Sequence, residues 1–100
     1  MPAKIAYDRE KLALFCKRWK VRELALFGSV LRDDFGPDSD VDVLVAFEPG
    51  DPWSYWEWPD MIAELEVIFG REVDLVPKDG LKNPFRRHEI LTTREVVYAA

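Results

Sequence analysis

Apolar residues along the chain follow two periods. Leu12, Phe15, Cys16 and Trp19 recur at helical spacing behind Asp8, which reads as the N-cap of a helix running through about Lys20. Residues 23–27, 41–47 and 72–76 are short, mostly apolar runs that read as strands, and 41–47 is unbroken enough to predict a buried central strand. Helical spacing returns at Trp58, Met61, Ile62, Leu65, Ile68 and Phe69, with Pro59 tolerable in the first turn and Gly70 as the stop. Residues 29–33 read as the opening turn of a further short helix. The resulting order α-β-α-β-α-β predicts an α/β (α+β) fold, a sheet with α-helices packed on it.

Length and composition narrow this picture. One hundred residues without repeats, linkers or low-complexity tracts are expected to form one minimal domain, 1–100, with a real core but no room for a second substrate-reading domain. No run approaches the roughly 20 apolar residues of a spanning helix, so no membrane partner is expected. Met1-Pro2-Ala3-Lys4 leads into no apolar signal region, and the single cysteine, Cys16, suits a reducing compartment, so the expected location is cytoplasmic. Cys16 shares its helical face with Leu12, Phe15 and Trp19, which favours a core thiol over a nucleophile. A net charge of -5 disfavours nucleic acid as a direct substrate, because binding a phosphate backbone needs basic surface.

The candidate chemistry is acidic and oxygen-rich. Gly28-Ser29 follows the strand candidate 23–27, and ten residues later comes Asp40-Val41-Asp42 at the head of the central strand. A strand-to-helix turn offers free backbone N–H groups to an anion, Gly28 lets a phosphate approach the backbone closely, and Ser29 adds a hydroxyl. In a strand, Asp40 and Asp42 point the same way, with Cα atoms roughly 6.5 Å apart. Asp74 places a third carboxylate inside the apolar run 72–76, where a purely structural strand would not be expected to carry a charge. Three such aspartates on one sheet edge repel one another without a cation. Hard oxygen ligands without partnering cysteine or histidine suit Mg²⁺, or Mn²⁺, with a nucleotide supplying further oxygens. Two ions about 3.5–4 Å apart would clamp an in-line phosphoryl displacement.

Each piece also has an ordinary structural reading. Gly-Ser after a strand is commonly just a turn, residues 37–40 could form a solvated turn, and Asp74 could face water from an edge strand. Only the combination at these spacings favours a metal and triphosphate site.

On those residues the chain resembles the DNA polymerase β-type nucleotidyltransferase superfamily, and within it the minimal nucleotidyltransferases. The resemblance is carried by residues 27–45, with Gly28, Ser29, Asp40, Asp42 and Asp74 as its five-residue signature, and extends over nearly the whole chain. It implies a mixed β-sheet of the nucleotidyltransferase type. It also implies terminal phosphates of ATP on Gly28 and Ser29, metals on Asp40, Asp42 and Asp74, and help from Asp74 in activating an acceptor hydroxyl. Minimal members are similar to antitoxins whose partner is a HEPN-type toxin, some of which transfer AMP from ATP to a toxin tyrosine. The implied activity is therefore protein adenylylation within a toxin–antitoxin hetero-oligomer. The alternatives are a non-catalytic antitoxin that acts by binding alone, and nucleotidyl transfer to a small molecule.

Three features remain. Trp53, Tyr55, Trp56 and Trp58 form an aromatic cluster that is either a partner patch or a cap on the core. Lys78, Lys82, Arg86 and Arg87 are either a solvated helix surface or a steering patch for triphosphate or partner. Arg32, one helical turn after Ser29, could neutralise phosphate or pair with Asp33 or Asp34. His88 lies in the charged C-terminal segment and is given no catalytic role.

Overall fold

The computed structural model describes residues 5–32, 35–36, 38–50 and 56–100. Asp8 caps the first helix, α1 (Arg9–Arg18), by accepting the backbone N–H groups of Glu10 and Lys11 at 3.0 and 3.1 Å. The helix ends two residues before the expected Lys20, which takes a left-handed φ of 56° and turns the chain into β1 (Val21–Phe27). A four-residue 3-10 turn, Gly28–Leu31, follows. The remaining elements are β2 (Val41–Phe47), α2 (Trp58–Phe69), β3 (Val73–Pro77), a 3-10 turn Lys78–Gly80, α3 (Pro84–Thr93) and β4 (Glu95–Ala99). The expected bounds of β2 and α2 hold, and Gly70 ends α2 in the left-handed region with its N–H on the Glu66 carbonyl at 2.8 Å.

The four strands make one mixed sheet in the order β3-β2-β1-β4, with β2 antiparallel to β1 and parallel to β3, and β4 antiparallel to β1. The expected sheet of three strands is therefore present, and β4 adds a fourth. Strand alternation sends Leu24, Leu26, Val41, Val43, Val45, Val73 and Leu75 to one face, where Leu12, Phe15 and Cys16 of α1 and Met61, Leu65 and Phe69 of α2 cover them. This is the main core. The opposite face carries a smaller cluster, Ala25, Phe27 and Leu44 with Leu81 and Ile90, and Ile90 is the one buried residue of α3.

β1 begins two residues before the expected 23–27, at Val21, whose side chain is buried in the main core. Glu23 accepts from Arg94 Nε at 2.9 Å and lies 3.8 Å from Lys78 Nζ, on the same side as Ala25 and Phe27. Those pairs also tie α3 and the turn before it to the sheet. Among the described residues no helix is long and apolar enough to cross a membrane.

Candidate active site

Because side chains alternate along a strand, the residues of β2 that miss the main core meet α3. Val41, Val43 and Val45 are buried beneath α1 and α2, whereas Asp42 and Leu44 face the other way. β3 repeats the pattern with Val73 and Leu75 inward and Asp74 and Val76 outward. Asp42 pairs with Asp74 in the parallel register, so the two carboxylates start from backbones about 4.8 Å apart on one face. Asp42 is half-buried and Asp74 exposed.

The turn after β1 is shaped around Asp42. Gly28 has a left-handed φ of 73°, and a Cβ built on it would collide with the Asp42 carboxylate oxygen. The absence of a side chain at Gly28 thus lets the Asp42 carboxylate approach the turn closely. The Asp42 carboxylate accepts the Ser29 backbone N–H. The short helix expected from Ser29 is instead the 3-10 turn, whose four residues generate little macrodipole, so individual N–H groups are what the turn offers an anion. Ser29 Oγ donates to the Asp40 carbonyl at 3.4 Å, bridging the turn to the head of β2.

Burial and like charge both bear on Asp42. Burial raises its pKa above the ordinary 3.8, and the neighbouring charge of Asp74, then that of Asp40, pushes it further; the Ser29 N–H and the Arg86 guanidinium oppose the shift. Asp40 itself precedes the first residue of β2 and is exposed, so strict strand alternation does not orient it, yet its charge reaches Asp42.

The segment delivering Asp40 is held by a residue that the sequence reading passed over. Arg71 Nη1 donates to the carbonyls of Gly36 and Ser39 at 2.7 and 3.1 Å, and its guanidinium lies 4.6 Å from the Phe35 ring centroid. Val41 N–H adds a bond to the Glu72 carbonyl at 2.9 Å. A basic residue directly after the Gly70 stop was the available signal.

Between the Gly28 turn and α3 lies a cleft of about 660 Å³, with Asp42 and Phe27 in its wall, Arg32 on one side and Arg86, Glu89 and Thr93 on the other. These three α3 residues stand at i, i+3 and i+7, one helical stripe. They were legible in principle: Asn83-Pro84 is a helix start, and Asn83 Oδ1 does accept the N–H groups of Phe85 and Arg86 at 3.0 and 3.2 Å.

The fold thus brings Gly28, Arg32 and Asp42 to one cleft, with Ser29 and Asp74 adjoining Asp42. Oxygen-only donors on one sheet face, with mutual repulsion felt at Asp42, fit a hard divalent cation in chemistry. As the side chains stand, no three acidic, histidine or cysteine groups among the described residues are gathered into a metal-holding cluster. The remaining candidates fall elsewhere. Cys16 is fully buried in the main core, with its thiol pushed up to about 12 by burial. Lys78 pairs with Glu23, and Arg87 donates to the Lys78 carbonyl at 3.1 Å, so both are structural. His88 and Lys82 are exposed. Of the aromatic cluster, Trp58 packs edge-on to Phe47 at 6.3 Å, as a core cap does, whereas Trp56 is 87% exposed. Trp53 and Tyr55 lie outside the described residues, as do Asp33 and Asp34, the proposed ion-pair partners of Arg32.

Residues 9–97 match the family model of the nucleotidyltransferase domain. This chain belongs to the nucleotidyltransferase family. The nucleotidyltransferase is 40% identical over 82 residues to the protein adenylyltransferase MntA of Thermococcus cleftensis, an alignment covering 82% of this chain and 78% of that one. Its fold is that of the chain in a crystal structure of a toxin–antitoxin with AMP-PNP, with a TM-score of 0.71 at 18% identity, covering 93% of this nucleotidyltransferase and 74% of the other chain. A similar likeness, TM-score 0.63 at 17% identity over 92% and 70% of the two chains, is to a complex of tri-AMPylated Shewanella oneidensis HEPN toxin with its MNT antitoxin. The expected mixed sheet of the nucleotidyltransferase type is the fold observed.

Proposed function

We propose that this nucleotidyltransferase moves AMP from ATP onto a hydroxyl, a tyrosine, of a HEPN-type toxin and thereby acts as its antitoxin in the cytoplasm. The observation that carries the reading is the cleft joining the Gly28-Ser29 turn to Asp42, with Asp74 paired beside it on the parallel strand. Its support from relatives is the 40% identity to a protein adenylyltransferase and the shared fold with chains from toxin–antitoxin complexes.

In this reading the terminal phosphates of ATP lie on the Gly28-Ser29 turn, where backbone N–H groups and the Ser29 hydroxyl donate to phosphate oxygens. Asp40, Asp42 and Asp74 would hold Mg²⁺, or Mn²⁺, whose charge would offset that of the phosphate oxygens. Asp74, exposed at the sheet face, takes part in removing the proton of the acceptor hydroxyl. The acceptor oxygen bonds to the α-phosphorus, the bond to the bridging oxygen of the β-phosphate breaks, and pyrophosphate leaves. Arg32 offsets the charge of the leaving group from the wall of the cleft. The partner supplies the acceptor and its alignment, which a chain of 100 residues need not provide.

Intact-mass measurement tests this directly. Incubation of the HEPN-type partner with ATP, Mg²⁺ and this protein is expected to add one or more AMP units, absent with Asp42→Asn. Neutralisation of the partner without a mass change, and equally by Asp42→Asn, would establish antitoxin action by binding alone.

A further inference from the structure

We infer that Arg86 of α3 is a triphosphate-binding residue, closing the cleft from the side opposite the Gly28 turn. The inference rests on the reading of this cleft as the nucleotidyl-transfer site. Arg86 lines the cleft together with Gly28, Arg32 and Asp42.

Three other arginines near this face are held by protein oxygens. Arg94 pairs with Glu23 and also donates to the Leu91 carbonyl, Arg87 donates to the Lys78 carbonyl, and Arg71 clamps the carbonyls of Gly36 and Ser39. Arg86 makes no ion pair among the described residues, and its side chain is exposed toward solvent and the cleft. Its backbone is nonetheless fixed, because its N–H is bonded to the Asn83 cap and Ile90, one turn on, is buried against the sheet. A guanidinium on an anchored helical turn, lining the same cleft as Asp42, is placed to meet phosphate oxygens of a nucleotide bound there. Its planar fork suits paired phosphate oxygens.

A bound triphosphate brings more negative charge than the Gly28 turn alone can answer. Asp42, Asp74 and Glu89 add like charge around it, so cationic groups in the walls matter more here than in a basic cleft. Arg32 and Arg86 flank the space from two elements far apart in sequence.

The test measures binding of ATP and of inorganic tripolyphosphate, each with Mg²⁺, to the wild type, Arg86→Ala and Arg86→Lys. Thermal melting serves as the folding control, and partner affinity is measured in parallel. Arg86→Ala is expected to weaken both ligands by about tenfold or more, by similar factors, with partner affinity and melting unchanged. Arg86→Lys is expected to recover part of the loss, since it restores charge without the fork. Unchanged binding of ATP and tripolyphosphate in Arg86→Ala overturns the inference, and a fall in partner affinity alone would make Arg86 a docking residue instead. A wild-type protein that binds neither ligand removes the nucleotidyl-transfer reading itself, an outcome distinct from a defect confined to the variants.

Discussion

The Asp42 carboxylate stands where a side chain on Gly28 would have to go, and it accepts the N–H of the next residue, Ser29. Gly28→Ala therefore meets both a left-handed φ of 73° and a collision. The variant is expected to lose about 2–4 kcal/mol of stability in denaturant titration. Adding Asp42→Ala should recover the collision share and leave the backbone share. If Gly28→Ala and the double variant are equally unstable, the two residues are not in contact.

Asp42→Asn separates stability from chemistry. Burial and the charges of Asp74 and Asp40 raise the Asp42 pKa, so the folded state holds this proton more tightly than the unfolded chain does. Metal-free stability from this group therefore falls as pH rises from the ordinary 3.8 to the raised value, and the cost is complete above it. The Asn variant lacks that fall and should melt at or above the wild-type temperature at neutral pH without metal. AMP transfer should drop by two orders of magnitude or more, about 2.7 kcal/mol of barrier. Melting curves across pH, paired with a transfer assay, check both halves.

Arg71→Ala removes two hydrogen bonds to carbonyls and the stack on Phe35 that hold the chain leading to Asp40. About 1–3 kcal/mol of stability should be lost. At temperatures where the variant remains folded, transfer should still fall by about tenfold or more, because positioning of Asp40 is loosened. Arg71→Lys can restore one of the two bonds and should fall between. Full activity in folded Arg71→Ala would show that Asp40 is held by other means.

Cys16 offers a check on the core. With its thiol pushed up to about 12 and fully buried, the native protein should react with a thiol reagent at pH 8 at least ~100-fold more slowly than the denatured chain. Rapid labelling under native conditions would contradict the packing of α1 on the sheet.

Strong periodicity made the main core legible. β2 and α2 have the expected bounds because Val41–Phe47 is an uninterrupted apolar run and α2 is framed by Pro59 and Gly70. β4 was missed: its residues are half-exposed, it is five residues long, and its partner β1 is some seventy residues away, so no local signal fixes it. The first two residues of β1 were missed because exposed Arg22 separates buried Val21 from the apolar run that follows. In the site, spacing pointed to Gly28, Ser29, Asp40, Asp42 and Asp74, and strand alternation explains why Asp42 and Asp74 share a face. The helix start at Asn83-Pro84 could be read from the sequence, but not that α3 forms the wall of the cleft opposite the turn. That placement depends on α3 folding back over the sheet, which the small cluster around Ile90 and the long-range pairs of Glu23 with Lys78 and Arg94 enforce.

The placement of Asp42 between Val41 and Val43 also constrains how the chain can misfold. A one-residue slip of β2 would turn the carboxylate into the apolar layer beneath α1 and α2 and present the valines to the cleft. Asp74 imposes the same rule on β3. The residues assigned to chemistry therefore act as guards on strand alignment during folding, and a chain in which both were replaced by valine would gain two alternative pairings at the moment it lost its site.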